Sequence, residues 1–208
     1  MGTETDPLTN NVYFVIDNMV IENPDIPVAY ARNAESNSGL LRGQIDNVVS
    51  LGIIYSLFQN GFLGTALLTT EEEIGKSWVH LKNWLIDTNI ETKKLFVLDT
   101  SPYREKTPIQ NNNVVLRNRD KSGVFHANLI EEIKRRCHNL SLSYQVKDEY
   151  FLDQGLEIKD LGSTELGRLV LETDNRWNGA TLQIPTTEYH TSYETTSRGC
   201  IESYYRLL

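Results

Sequence analysis

Five side chains stand out for what their types and positions could do together. Glu72 and Glu73 adjoin, while Asp46, Asp99 and His190 come from segments far from them and from one another. Carboxylates and one imidazole delivered by separate segments are how a zinc or cobalt hydrolase site is assembled, because oxygen and nitrogen donors together suit such ions. Each residue also has a plain structural reading. Asp46, placed before an apolar helix, serves equally as an N-cap for an orphan N–H. The run Glu71–Glu73 suits a solvated helix start favoured by the helix dipole. Asp99-Thr100-Ser101-Pro102 is an ordinary strand-to-turn sequence, and His190 is one of four histidines, most simply unliganded. The other three, His80, His126 and His138, fall in or beside predicted helices and read as structural or surface residues. The Cys137-His138 pair reads as a helix end.

The five come together only on a scaffold that brings strand ends to one place. Apolar spacing from Val48 to Phe58, stopping at Asn60-Gly61, predicts a helix that begins just after Asp46. Thr65–Thr70 is a compact apolar run that reads as a strand leading into the glutamates, and Ile74–Thr88 returns to helical period with Trp78, Leu81, Trp84 and Leu85 inward. Lys94–Leu98 reads as a buried strand ending at Asp99, and Val114–Leu116 as another after a turn-rich stretch. A helix over Ala127–Arg136, a strand over Ser141–Val146, a helix over Ser163–Leu171, a strand over Ala180–Ile184 ending at Pro185 and a helix over Ser192–Leu207 complete the order. Strands alternating with helices of this length predict an α/β fold, a three-layer sandwich whose mostly parallel mixed sheet is flanked by helices. In such sheets functional groups gather beyond the carboxyl ends of the strands, which is where Glu72, Glu73, Asp99 and His190 fall.

The remaining sequence bounds the possibilities. At 208 residues and 39% hydrophobic content the chain can bury a core without metal or disulfide staples. The polar opening to Asn11 carries no chemistry; Val12–Ile16 and Val28–Ala31 read as short strands parted by Pro24 and Pro27, which break any helix. Apolar runs fall short of the roughly 20 residues of a membrane span, and no basic-then-apolar leader begins the chain, so the expectation is a soluble, cytoplasmic protein without a membrane partner. A formal charge of −8 without a dense Lys/Arg cluster argues against nucleic acid. Two distant cysteines, Cys137 and Cys200, frame neither a disulfide scaffold nor a thiolate zinc site and suit a reducing compartment.

Several stretches in order carry a resemblance: Gln44-Ile45-Asp46-Asn47 before the apolar helix, Leu68-Thr69-Thr70-Glu71-Glu72-Glu73-Ile74-Gly75, Leu98-Asp99, Arg117–Asp120 with the helix from Ala127, Gly162-Ser163-Thr164-Glu165-Leu166-Gly167, and Ile184-Pro185-Thr186-Thr187-Glu188-Tyr189-His190. From about Val28 to Leu208 the chain resembles the dinuclear metallo-aminopeptidases of the glutamyl aminopeptidase and tetrahedral (TET) type, within the zinc exopeptidases. The double glutamate with its glycine is the most specific piece. Glu165 stands where that family has aspartate.

The resemblance implies a zinc-exopeptidase (phosphorylase/hydrolase-like) fold in residues 28–208, preceded at 1–27 by a polar segment and a remnant of an inserted β domain. It implies that Asp46 bridges two divalent ions, zinc or else cobalt or manganese, that Glu73 and His190 complete one site, that Asp99 belongs to the other, and that Glu72 is the general base. The activity implied is hydrolysis of an N-terminal peptide bond of a peptide substrate. The family takes one more histidine from a segment before the bridging aspartate, and this chain has none before His80. A C-terminal portion of a longer protein, a one-metal hydrolase, and a non-catalytic peptidase-like protein that binds a peptide or protein partner all fit that gap. Because relatives assemble through the inserted domain, a monomer or small homo-oligomer is expected. Trp177, near the Gly162–Gly167 loop, is either a pocket wall or a core residue, and substrate-binding residues are not assignable.

Overall fold

The computed structural model describes residues 34–208 throughout and, of the first 33, the backbone of three strands: β1 (Gly2–Thr5), β2 (Val12–Ile16) and β3 (Met19–Ile21). These form an antiparallel sheet in the order β1-β2-β3. The chain divides into two compact units, Met1–Ala31 and Arg32–Leu208. The strand predicted at Val12–Ile16 is β2, whereas that predicted at Val28–Ala31 lies outside the described residues.

The second unit is built on a four-stranded mixed sheet. β6 (Leu95–Pro102), β7 (Val114–Leu116), β8 (Tyr144–Val146) and β9 (Gly179–Thr186) lie in the order β6-β9-β7-β8, with β6 parallel to β9, β7 parallel to β8, and β7 antiparallel to β9. All eight residues of β9 are buried, as a strand covered on both faces requires. The covering helices are α1 (Val48–Gln59), α4 (Ala127–Asn139) and α7 (Arg198–Leu207), which pack together, and α2 (Ser77–Asp87), which packs on α6 (Glu165–Glu172). This is the expected three-layer arrangement. Leu85, Leu116, Leu166, Leu182, Ile184 and Tyr204 form the middle of the core. Close approach of β6 to β9 explains Gly179, where a Cβ would run into the carbonyl group of Leu95.

Local chemistry sets the helix starts. Thr164 caps α6 by accepting from the Gly167 N–H at 3.1 Å, so the helix begins at Glu165 rather than at Ser163. His126 caps α4, accepting from the Leu129 N–H at 3.3 Å, which accounts for one of the three histidines read as structural.

Some predicted elements differ. Thr65–Thr70 is not a strand: it runs as irregular, largely exposed chain, because an apolar extended run becomes a strand only against a hydrogen-bonding neighbour, and among the described residues it has none. The helix expected over Ser192–Leu207 begins at Arg198. Before it, Thr195–Ser197 forms β10, whose β-branched threonines pair antiparallel with β5 (Leu40–Arg42), itself hairpinned to β4 (Glu35–Asn37). The strand predicted at Ser141–Val146 shortens to β8, since Ser141 takes a positive φ of 53° as the chain leaves α4. β9 continues through Pro185 because β7 pairs only with Leu182 and Gln183, leaving no ladder partner for the missing N–H. Two short helices, α3 (Thr107–Gln110) and α5 (Lys147–Asp153), were not foreseen. Trp177 is 1% exposed and donates its indole N–H to the Ile90 carbonyl at 2.7 Å, so it is core rather than pocket wall.

Candidate metal centre

Asp46 does not cap α1. The capping position falls on Asn47, which makes no capping bond either; its Nδ2 donates instead to the Leu98 carbonyl at 2.8 Å, tying the start of α1 to β6. Asp46 is held from behind by Glu194, a buried side chain whose Oε2 accepts from the backbone N–H groups of Ile45 and Asp46 at 3.1 and 3.0 Å. Glu73 lies in the turn between the irregular 65–70 segment and α2, and His190 in the loop after β9. Both Glu188 and His190 adopt left-handed backbone, φ 57° and 58°, a conformation uncommon outside glycine that re-aims the chain here.

The three side chains meet. His190 Nε2 is 3.4 Å from Asp46 Oδ2 and 3.5 Å from Glu73 Oε1, and one donor atom from each lies within 4.8 Å of the others. Donors about 2.1 Å from a tetrahedral ion stand roughly 3.4 Å apart, so the spacing fits a divalent cation between them. The donor set, two carboxylates and an imidazole, is also of the right chemistry. The His190 ring stacks on Tyr189, centroids 3.8 Å apart and planes 23° from parallel, which fixes its orientation.

Asp99, on β6, faces the same cluster. Its Oδ2 accepts from Gln183 Nε2 at 3.1 Å and its Oδ1 from the Thr100 N–H at 2.7 Å. Gln183 Oε1 in turn accepts from Arg117 Nε at 2.6 Å, so a buried guanidinium reaches Asp99 through one amide. Electrostatics mark the cluster as short of positive charge. Burial, then the charge of Asp46, pushes Asp99 up to about 6. Burial, followed by the charges of Asp99, Glu73, Asp46 and Glu165, pushes Glu72 up to about 7 although its side chain is open to solvent on one side. Tyr189 is raised by burial and by Asp46 and Asp99. A divalent ion would relieve this crowding.

Beside the carboxylates lies a cavity of about 410 Å³ lined by Glu72, Glu73, Trp78, Thr164, Arg168 and Tyr189. The structure thus brings Asp46, Glu73 and His190 into direct proximity, with Glu72 and Asp99 electrostatically coupled to them. Glu194, Gln183, Arg117 and Arg168 were not singled out from the sequence. A polar Gln183 between Leu182 and Ile184 was the available signal, since such a residue needs a buried partner. His80 pairs with Glu71 at 2.9 Å, and the thiols of Cys137 and Cys200 are buried and free.

The sequence profile of the M42 glutamyl aminopeptidases matches residues 18–207. No curated protein matches it at the level of sequence. Among solved structures, an aminopeptidase of the archaeon Desulfurococcus kamchatkensis superposes with a TM-score of 0.66 at 13% identity, over 85% of this chain and 50% of its own. The TET1 peptidase of Pyrococcus horikoshii, which assembles into a tetrahedron or a large octahedral shell, gives 0.61 at 16% identity over 85% and 51%. A TET aminopeptidase of a marine sediment thaumarchaeon gives 0.60 at 17% over 84% and 49%. At these identities the likeness is one of fold, and the chain spans about half the length of these relatives. Among the described residues no helix is long and apolar enough to cross a membrane.

Proposed function

Because the chain belongs to the M42 glutamyl aminopeptidase family, we propose that it is a metal-dependent aminopeptidase or related amide hydrolase acting on peptides. Asp46, Glu73 and His190 hold one divalent ion, zinc or else cobalt or manganese, Asp99 shares a second with Asp46, and Glu72 is the general base. The observation that carries this reading is the triangle of Asp46, Glu73 and His190 donors within 4.8 Å. Bound there, the ion supplies Lewis-acid polarisation of the scissile carbonyl and a lowered pKa for the attacking water.

The chain's own residues do the rest. Glu72, which lines the cavity beside the cluster, accepts the proton of the attacking water and returns it to the departing amine. Its neighbour Glu73 turns instead to the His190 side of the cluster, so adjacent carboxylates take different tasks. Glu194 fixes the Asp46 backbone and Gln183 fixes the Asp99 carboxylate. The cavity beside Glu72 receives the substrate's N-terminal residue. A cytoplasmic monomer or small homo-oligomer belongs to the same reading, as does assignment of residues 1–27 to a reduced inserted β domain.

One observation favours a second reading, a non-catalytic peptidase-like protein that binds a peptide or protein partner: the sequence has no histidine before His80. Elemental analysis after chelator-free purification, repeated after titration with zinc or cobalt, separates the two. One or two ions per chain, with Glu72→Gln retaining metal but losing peptide hydrolysis, supports the enzyme. No ion at saturating metal overturns it.

A further inference from the structure

The segment Arg117–Asp120, which leaves the end of β7, carries two buried charges that the proposed reaction does not use: Arg117 is 5% exposed and Asp120 0%. Asp120 is fully met. Its Oδ1 accepts from the backbone N–H groups of Ser122 and Gly123 at 2.7 and 2.8 Å, and its Oδ2 from the N–H and hydroxyl of Thr164 at 2.6 and 2.8 Å. It thereby pins the 162–165 loop, whose Ser163, Thr164 and Glu165 wall the cavity beside Glu72. Arg117 is met differently. Among the described residues its side-chain bonds both go to neutral oxygens: Nε donates to Gln183 Oε1 at 2.6 Å and Nη1 to the Leu161 carbonyl at 3.1 Å, while the charges of Asp99, Asp120 and Asp148 act on it without such a bond. Burying a guanidinium in this way is costly, since a touching carboxylate would offset far more of its lost hydration.

We infer that Arg117 is a positioning residue that brackets the metal centre to the wall of the substrate cavity, one arm on each, resting on the reading above in which Asp99 holds a second ion. The arm towards the metal works through Gln183. With Oε1 held against the guanidinium, the amide must present Nε2 on its other side, where it donates to Asp99 Oδ2 at 3.1 Å and to the Thr100 carbonyl at 2.8 Å. Turned over, the same amide would set NH₂ against the guanidinium and oxygen against the Asp99 carboxylate, two repulsive contacts at once. Arg117 therefore decides that Asp99 meets a donor and stands in one orientation, as the partners behind a metal ligand do. The other arm ends on Leu161, the residue ahead of the loop that Asp120 pins. Only a planar fork reaches both at fixed angles, which is why lysine is no substitute here.

The test is a calorimetric titration of zinc chloride into the chelator-treated full chain. The parent should take two ions. Gln183→Met should weaken the second about 10- to 100-fold and leave the first within about twofold. Arg117→Lys should weaken the second by a similar factor and, unlike Gln183→Met, should also speed hydrogen exchange at the Thr164 and Gly167 amides roughly tenfold, because it alone releases Leu161. Combining the two substitutions should weaken the second ion no further than Gln183→Met does, since the residues act as one unit. Equal weakening of both ions, additive losses in the double variant, or an unchanged second ion each overturn the inference and leave the metal-dependent reading standing. A parent that takes one ion also overturns it alone, and a parent that takes none overturns both. The unaltered protein gives a reading that no misfolded variant can spoil. With arginine ¹⁵N-labelled, one slowly exchanging Nε–H resonance should move with the second equivalent of zinc and not with the first. No such movement overturns the inference.

Discussion

The two sides of β6 could hardly differ more. Towards β9, eight residues pair in parallel register, every β9 residue is buried, and a buried polar chain runs from Arg117 to Gln183 and from Gln183 to Asp99. Away from β9, apolar side chains from α1 and from 62–68 face solvent, and the backbone of 65–69 has no partner among the described residues. Similar residue types stand on both sides. What separates them is the presence of a neighbouring strand, which teaches that hydrophobicity proposes a strand and pairing decides it.

The largest effect should come from the chemistry that sits between the two sides. Glu72→Gln is expected to lower the rate of peptide hydrolysis by about 10²- to 10⁴-fold while metal content stays as in the parent, checked by steady-state kinetics beside elemental analysis. Unchanged kinetics would remove Glu72 from the reaction.

Next is packing. Leu182→Ala, 1% exposed in β9, should cost about 2–5 kcal/mol in denaturant unfolding. Leu68→Ala on the open side should change stability by less than about 0.5 kcal/mol. Equal losses would mean that the open side is buried in solution and would erase the contrast.

Electrostatics sharpen it further. In the metal-free chain Glu72 and Asp99 keep their protons up to about 7 and about 6, above the ordinary carboxylate values they regain on unfolding. The folded state therefore binds more protons between about pH 4 and 7, and these groups make stability fall as pH rises through that window. Thermal unfolding with chelator should show this fall. Asp99→Asn with Glu72→Gln should flatten it, and saturating zinc should reverse it.

On the packed side the sign is opposite. Lys147 is 1% exposed, its Nζ donating to the Pro102 carbonyl, and burial followed by Arg117 lowers it to about 6. The unfolded chain then binds more protons between about pH 6 and 10, so this group's contribution makes stability rise with pH there. Lys147→Met should raise stability at pH 7 by about 1 kcal/mol and remove that slope. A loss of stability instead would show that the amine's bond to Pro102 outweighs its burial.

The fold and the metal cluster were legible to different depths. Alternating apolar segments were enough to foresee β6, β7 and β9 and the helices α1, α2, α4 and α6, because in a layered α/β unit the apolar period reports directly on burial. Thr65–Thr70 was misread for the same reason: its composition is that of a buried strand, and composition carries no information about whether a neighbour is there. The reverse held at Thr195–Ser197, where a short polar strand pairs with Leu40–Arg42 some 155 positions earlier, a contact that no local pattern announces. Asp46, Glu73 and His190 could be named from residue type and from family resemblance. Glu194, Gln183 and Arg117 could not, since their roles rest on which backbone groups and amides lie behind the cluster.

The bond from Glu194 to the Asp46 amide spans 148 positions of sequence. A ribosome making this chain releases Asp46, Glu72, Glu73 and Asp99 long before Glu194 and His190, so the acidic half of the centre waits through most of synthesis for the segment that orients it. Contacts of such high sequence separation form late, after the entropy of closing the intervening loop has been met. If the proposed centre holds an ion, its affinity depends on residues 190–194, and a metal-dependent rise in stability would report that this segment has docked.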